Sequence, residues 1–78
     1  MLELKLVLHD AKTDPPKRSM SADECIGIIC GGYFNMMCYS AKHNAFNVRD
    51  EDEEKRLEIK PIFWAEAPAE LRGLFKGV

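Results

Sequence analysis

Cys25-Ile26-Gly27-Ile28-Ile29-Cys30-Gly31-Gly32-Tyr33-Phe34-Asn35-Met36-Met37-Cys38-Tyr39 is the stretch that decides the fold. Two apolar runs flank a Gly-Gly pair, and glycine enters positive φ without the Cβ clash that bars other residues. Apolar run, Gly-Gly, apolar run is a β-hairpin signature. A competing signal lies just upstream, where Ser21 and Glu24 have the spacing of a capping box that would open a helix over residues 21–30. The β-branched isoleucines and the central Gly27 weaken a helix, so the hairpin is the favoured reading. A two-residue turn pairs Cys30 with Tyr33, Ile28 with Asn35 and Cys25 with Cys38. One face then carries Ile26, Ile28, Cys30, Tyr33, Met37 and Tyr39, and the other Cys25, Ile29, Phe34, Met36 and Cys38. Both faces are apolar, and each needs a cover from the rest of the chain or from a second molecule.

Working toward the N-terminus, Leu2, Leu4, Leu6 and Leu8 alternate with Glu3, Lys5, Val7 and His9, the period of a half-buried strand with its leucines inward. Between Asp10 and Asp23 the chain turns polar, and Pro15-Pro16 fits an extended loop rather than a sheet interior. A loop this long in so small a domain is often functional.

Toward the C-terminus, Lys42-His43-Asn44 reads as a turn and Ala45-Phe46-Asn47-Val48 as a short strand. Residues 50–56 read as a solvated charged connector. Leu57, Ile59 and Phe63 alternate with Glu58 and Lys60 as a last strand. Pro61 cannot donate to a ladder and assigns that strand to an edge or a bulge. After it, Trp64 is placed to clamp the C-terminal segment. Pro68 then opens a short helix with Leu71, Leu74 and Phe75 on one face and Gly77 at its end. The expected architecture is mainly β, or α+β: a four- to five-stranded antiparallel sheet with a short C-terminal helix.

The 78 residues fit a single domain over residues 1–78. A chain of this length buries only about 60% of its unfolded surface, near the lower limit for an unassisted core. A composition 46% hydrophobic and 31% charged is that of a folded protein. A formal net charge of -2 creates no field that favours nucleic acid, and Lys12, Lys17 and Arg18 are too few for a basic patch. Leucines interrupted by charge at the N-terminus give no signal-peptide core, and no stretch is long and apolar enough to span a membrane. Three cysteines, an odd number, point to free thiols in a reducing cytoplasm.

No constellation of residues assembles an enzyme. Cys25, Cys30, Cys38 and His43 are the one group of soft ligands, but their spacing lacks the Cys-x2-4-Cys knuckle of structural zinc; small buried thiols are the expected role, with no metal and no cofactor. No cysteine sits beside a basic residue or helix start that would activate it, and His9 and His43 read as surface groups. The acidic run lacks the glycine and glutamate of a calcium loop, since Lys55 and Pro61 occupy those positions. Gly31-Gly32 lacks the lysine and helix of a phosphate loop. Tyr33, Phe34 and Tyr39 have no basic surround for stacking bases and are assigned to the core. The acidic run is left as either a solubilising loop or a ligand for a basic protein surface.

Taken together, His9-Asp10-Ala11-Lys12-Thr13-Asp14-Pro15-Pro16, Tyr39-Ser40-Ala41-Lys42-His43-Asn44-Ala45-Phe46-Asn47 and Trp64-Ala65-Glu66-Ala67-Pro68 resemble a family of small phage and prophage proteins, a domain of unknown function in which an acidic, proline-bearing loop precedes the strands and a tryptophan and a proline close the domain. The resemblance covers most of the chain and departs from the family at Gly31-Gly32 and the methionines. It carries over no catalytic residue. By analogy with small phage accessory proteins, it implies a stoichiometric binding inhibitor of a bacterial host defence component, anti-CRISPR-like, acting on a host protein in the host cytoplasm without membrane or nucleic-acid contact. The candidate contact residues are Asp50, Glu51, Asp52, Glu53, Glu54, Lys17, Arg18 and Trp64. The alternatives are an oligomeric sponge for a nucleotide signal near Lys17 and Arg18, and a phage structural or regulatory module. The hairpin with two apolar faces points to a partner or a homodimer.

Overall fold

The computed structural model describes residues 6–69. They form six short strands: β1 (His9–Asp10), β2 (Cys25–Ile28), β3 (Phe34–Met36), β4 (Tyr39–Ser40), β5 (Ala45–Phe46) and β6 (Phe63–Glu66). β1, β6, β2 and β3 make a four-stranded antiparallel sheet in that order, and β4 pairs with β5 in a second sheet of two. The bridge between Met20 and Tyr39 ties the β4–β5 pair to the chain entering β2, and the bridge between Phe46 and Ile59 ties it to the chain approaching β6. The fold is therefore mainly β. The expected helix carrying Leu71, Leu74, Phe75 and Gly77 lies outside the described residues.

The hairpin is present, with a register different from the expected one. Cys30, Gly31 and Gly32 form a three-residue turn, closed by the Ile29 N–H donating to Tyr33 O at 2.8 Å and the Gly32 N–H to Ile29 O at 3.2 Å. Both turn glycines sit at positive φ, 88° and 82°. Ile26 pairs with Met36, Gly27 with Asn35 and Ile28 with Phe34. Cys25 consequently lies opposite Met37, whose N–H donates to its carbonyl at 3.1 Å, and the expected pairing of Cys25 with Cys38 does not occur. A one-residue slip turns every β3 side chain to the other face. Packing explains the choice. Gly27 has no side chain, and a Cβ built there would sit 2.6 Å from Met37 Sδ and Cε, so Met37 occupies the space that Gly27 leaves.

The Met37 face carries the main cluster of the core, and Ile26, on the opposite face of β2, is buried as well. Met20, Cys25, Met37, Tyr39, Phe46 and Trp64 form one buried cluster, with Ala11 and Ile59 packed at its margin. Burying a large apolar side chain of this kind stabilises a fold by about 1.5–3 kcal/mol. Tyr33 and Phe34, expected in the core, are 72% and 67% exposed. Their end of the hairpin projects past β6, whose pairing with β2 ends at Ile28 and Phe63.

Both flanking strands also differ from expectation. Only His9 and Asp10 join the sheet at the N-terminal side, opposite Trp64 and Phe63. Leu6 is half-buried and Val7 and Leu8 are exposed; Leu2 and Leu4 lie outside the described residues. Alternation says which way a side chain points, whereas burial also requires a layer to cover it. The last strand begins after Pro61 rather than running through it, and β6 is interior, between β1 and β2, rather than at an edge. A residue without an N–H cannot sit in a ladder bonded on both sides, so backbone bonding resumes only after Pro61, where Ile62 donates its N–H to Ile28 O at 2.8 Å and accepts the Ala11 N–H at 3.0 Å ahead of β6. Leu57, expected to face inward, is exposed.

Candidate functional site

The polar organisation of the molecule centres on Asp50. β4 delivers Ser40 and the proline-bearing loop delivers Ser19. The Ser40 hydroxyl donates to Asp50 Oδ1 at 2.7 Å, and the Ser19 hydroxyl donates between Oδ1 and Oδ2, each at 2.8 Å. Both hydroxyls also accept a backbone N–H, Ser40 from His43 at 3.1 Å and Ser19 from Ala41 at 2.9 Å. Ser40 is fully buried, and this pairing satisfies its hydroxyl as donor and as acceptor. The turn at residues 41–44 closes through Asn44 at φ 52°, a conformation asparagine tolerates better than most residues.

Asp52 works in the same way. Its carboxylate accepts the Arg49 N–H at 2.8 Å, and its carbonyl lies 2.7 Å from His43 Nε2. His43 is thus half-buried and bonded rather than a free surface group, and residues 49–52 are a fixed turn rather than a solvated connector. Two carboxylates of the acidic run hold structure. Glu51, Glu53 and Glu54 remain exposed. The ion pair between Glu51 and Arg49, at 3.8 Å with both side chains 71% exposed, adds little.

Hydrogen bonds from Ser40 first, and then Ser19, hold the Asp50 carboxyl below its ordinary value of 3.8. Asp10 is lowered as well, by the Thr13 and Lys12 N–H groups its carboxylate accepts. A carboxyl lowered by folding contributes stability that is present in full above its ordinary value and is lost as the pH falls through the folded one. Thermal stability is therefore expected to drop on acidification below about pH 4. Asp50→Asn is expected to lower Tm at neutral pH and to narrow its gap to the wild type in acid. A gap of constant width across a pH series of melting curves would contradict this role for Asp50.

The remaining candidates are placed elsewhere. Arg18 Nη1 donates to Glu24 Oε2 at 2.8 Å and to Ser19 O at 3.2 Å, and Nη2 lies 3.9 Å from Glu66 Oε1. Its charge is balanced within the molecule. Lys17 is exposed beside the buried Pro16. Trp64 lies within β6, stacks on His9 with ring centroids 4.6 Å apart, and donates its Nε1–H to Asp14 O at 2.6 Å. At 7% exposure it is largely buried and secures the proline-bearing loop to the sheet. The structure therefore brings Asp50 and Asp52 into one polar network, leaves Glu51, Glu53 and Glu54 exposed, and places Lys17 and Arg18 just ahead of Ser19 in the proline-bearing loop, with Trp64 buried in β6. A cleft of about 680 Å3 opens beside that network, lined among others by Ser19, Tyr39, Arg49, Asp50 and Asp52.

Cys25 and Cys38 are not activated as nucleophiles. Burial, reinforced by the neighbouring Cys38, pushes the Cys25 thiol up to about 12, and burial raises Cys38 as well. The His43 ring is bonded to a carbonyl while only its backbone N–H reaches Ser40, so serine and imidazole form no proton relay. Among the described residues no three His, Cys, Asp or Glu side chains converge as a metal site would require. Ser19 and Ser40 were not evident as functional positions from the sequence. The one local hint was Ser40 just ahead of a turn, where a hydroxyl commonly meets a backbone N–H.

Among the described residues no helix is long and apolar enough to cross a membrane. No family model, no curated protein and no solved structure matches the chain.

Proposed function

We propose that this protein is a stoichiometric binding inhibitor that presents Glu51, Glu53 and Glu54 to a basic surface on a bacterial host protein, the defence setting implied by its resemblance to small phage proteins. The observation that carries the reading is the Asp50 network. Ser19, Ser40, His43 and Asp52 fix the acidic turn from within, so Glu51 is displayed on a turn that is already ordered and Glu53 and Glu54 are exposed just past it. Ordering a loop before contact removes part of the entropic cost of binding. Clustered carboxylates then speed encounter with a basic surface and reject acidic ones. The nucleotide-sponge alternative has less support, because the Arg18 guanidinium is already hydrogen-bonded to Glu24 at 2.8 Å, which leaves Lys17 as the other cation there.

The test uses the triple variant Glu51→Lys, Glu53→Lys, Glu54→Lys, which spares the carboxylates that hold the loop. Tagged wild type is expected to capture a host protein in equimolar amount from bacterial lysate, with the triple variant weakened more than about tenfold toward that purified target while its circular dichroism is unchanged. Equal affinity of the two forms would remove the acidic turn as the contact.

A further inference from the structure

β3 has β2 on one side and no strand on the other. In an antiparallel pair, alternate residues turn both backbone groups toward the neighbour. The bonds from the Ile29 N–H to Tyr33 O and from the Met37 N–H to Cys25 O assign Tyr33, Asn35 and Met37 to the β2 side. Phe34 and Met36 therefore direct their N–H and C=O groups away from the sheet, and no described residue bonds to them there. Edges of this kind are normally blocked by charge or proline. Here no Asp, Glu, Lys, Arg or Pro occurs between Glu24 and Lys42, in a chain that is 31% charged overall. The opposite edge, β1, carries Asp10 and runs into Lys12.

We propose that a second copy of this chain pairs antiparallel with β3 about a two-fold axis at Asn35, joining the two four-stranded sheets. Phe34 then lies opposite Met36 of the second copy, and each such pair exchanges both backbone hydrogen bonds. Side chains support the same register. Phe34, 67% exposed in one copy, meets a thioether, a favourable contact for an aromatic ring, and each Asn35 faces its own counterpart, where one amide donates and the other accepts. The strand is neutral and complementary to itself, which favours a second copy over a foreign strand, and a pairing that uses both edges closes as a dimer. The inference does not depend on the acidic turn.

The two-fold axis makes position 35 diagnostic. Asn35 is exposed and belongs neither to the core nor to the Asp50 network. Asn35→Lys places two lysines face to face across the axis, Asn35→Asp places two aspartates there, and a mixture of the variants places lysine against aspartate. Light scattering is expected to give a dimer for the wild type, a monomer for each variant alone, and a dimer again for the equimolar mixture. Recovery in the mixture would also show that both variants are folded. A monomeric wild type, variants that remain dimeric, or a mixture that stays monomeric would each overturn the pairing.

Discussion

Replacing Trp64 with alanine is expected to remove about 3–5 kcal/mol of stability. A folded chain of 78 residues has about 4–12 kcal/mol in total, so the variant should be largely or wholly unfolded at 37 °C. Three separate roles end together. The ring fills the core beside Cys25 and Met37, it stacks on His9, and its Nε1–H holds the Asp14 carbonyl, which anchors the proline-bearing loop. Trp64→Phe separates these roles, because it keeps a ring and deletes the hydrogen bond. Its expected cost is nearer 1–3 kcal/mol, that of a part-buried carbonyl left without its donor. Urea denaturation followed by far-ultraviolet circular dichroism measures both variants without relying on the lost fluorophore. A Trp64→Ala variant within about 1 kcal/mol of the wild type would show that the ring is not part of the core.

The second large effect lies at the contact between Gly27 and Met37. Met37 is 1% exposed, and Met37→Ala is expected to cost about 2–5 kcal/mol by opening a cavity over Gly27. Gly27→Val is expected to cost about 1–3 kcal/mol, although valine prefers strands to glycine, because the Met37 thioether already occupies the space its methyls would enter. The double variant is the informative one. The valine methyls then fill part of the cavity left by methionine, so the combined loss should fall short of the sum of the two by about 0.5–3 kcal/mol. Additive losses would show that the two positions do not touch.

That contact also marks where the sequence stops being informative. Gly31-Gly32 between two apolar runs made the hairpin legible, because few other patterns admit two consecutive residues at positive φ. The same pair suits turns of two or three residues, and the choice between them is made by Met37 settling over Gly27, a contact between strands that no local window contains. β6 was partly legible: Pro61 marked a discontinuity, but the ladder begins beyond it at Phe63 and runs through Trp64 into the middle of the sheet. Period-two leucines point to a strand ahead of His9, but of the described residues only His9 and Asp10 pair, and Val7 and Leu8 are exposed.

The candidate site was less legible still. Residues 50–54 read as a solvated run because adjacent carboxylates usually are. Asp50 nonetheless bonds Ser40, 10 residues away, and Ser19, 31 residues away, and no spacing rule connects those three positions. Trp64 was singled out correctly as a large ring with a structural role, yet its partners are His9 and Asp14 at the other end of the chain rather than the segment that follows it. The lack of a basic surround assigns Tyr33 and Phe34 to the core, whereas the tip of the hairpin extends beyond the neighbouring strand that would have covered them.

The core and the exposed aromatic tip both follow from the hairpin register, and nuclear Overhauser contacts between α-protons measure that register directly. In antiparallel strands the residues of a non-hydrogen-bonded pair bring their Cα atoms to about 4.5 Å, close enough for a strong α-proton contact. The three-residue turn predicts such contacts between Ile26 and Met36 and between Ile28 and Phe34. Contacts instead between Gly27 and Met36 and between Ile29 and Phe34 would establish the two-residue turn, move Met37 off Gly27 and contradict the packing on which the core is built.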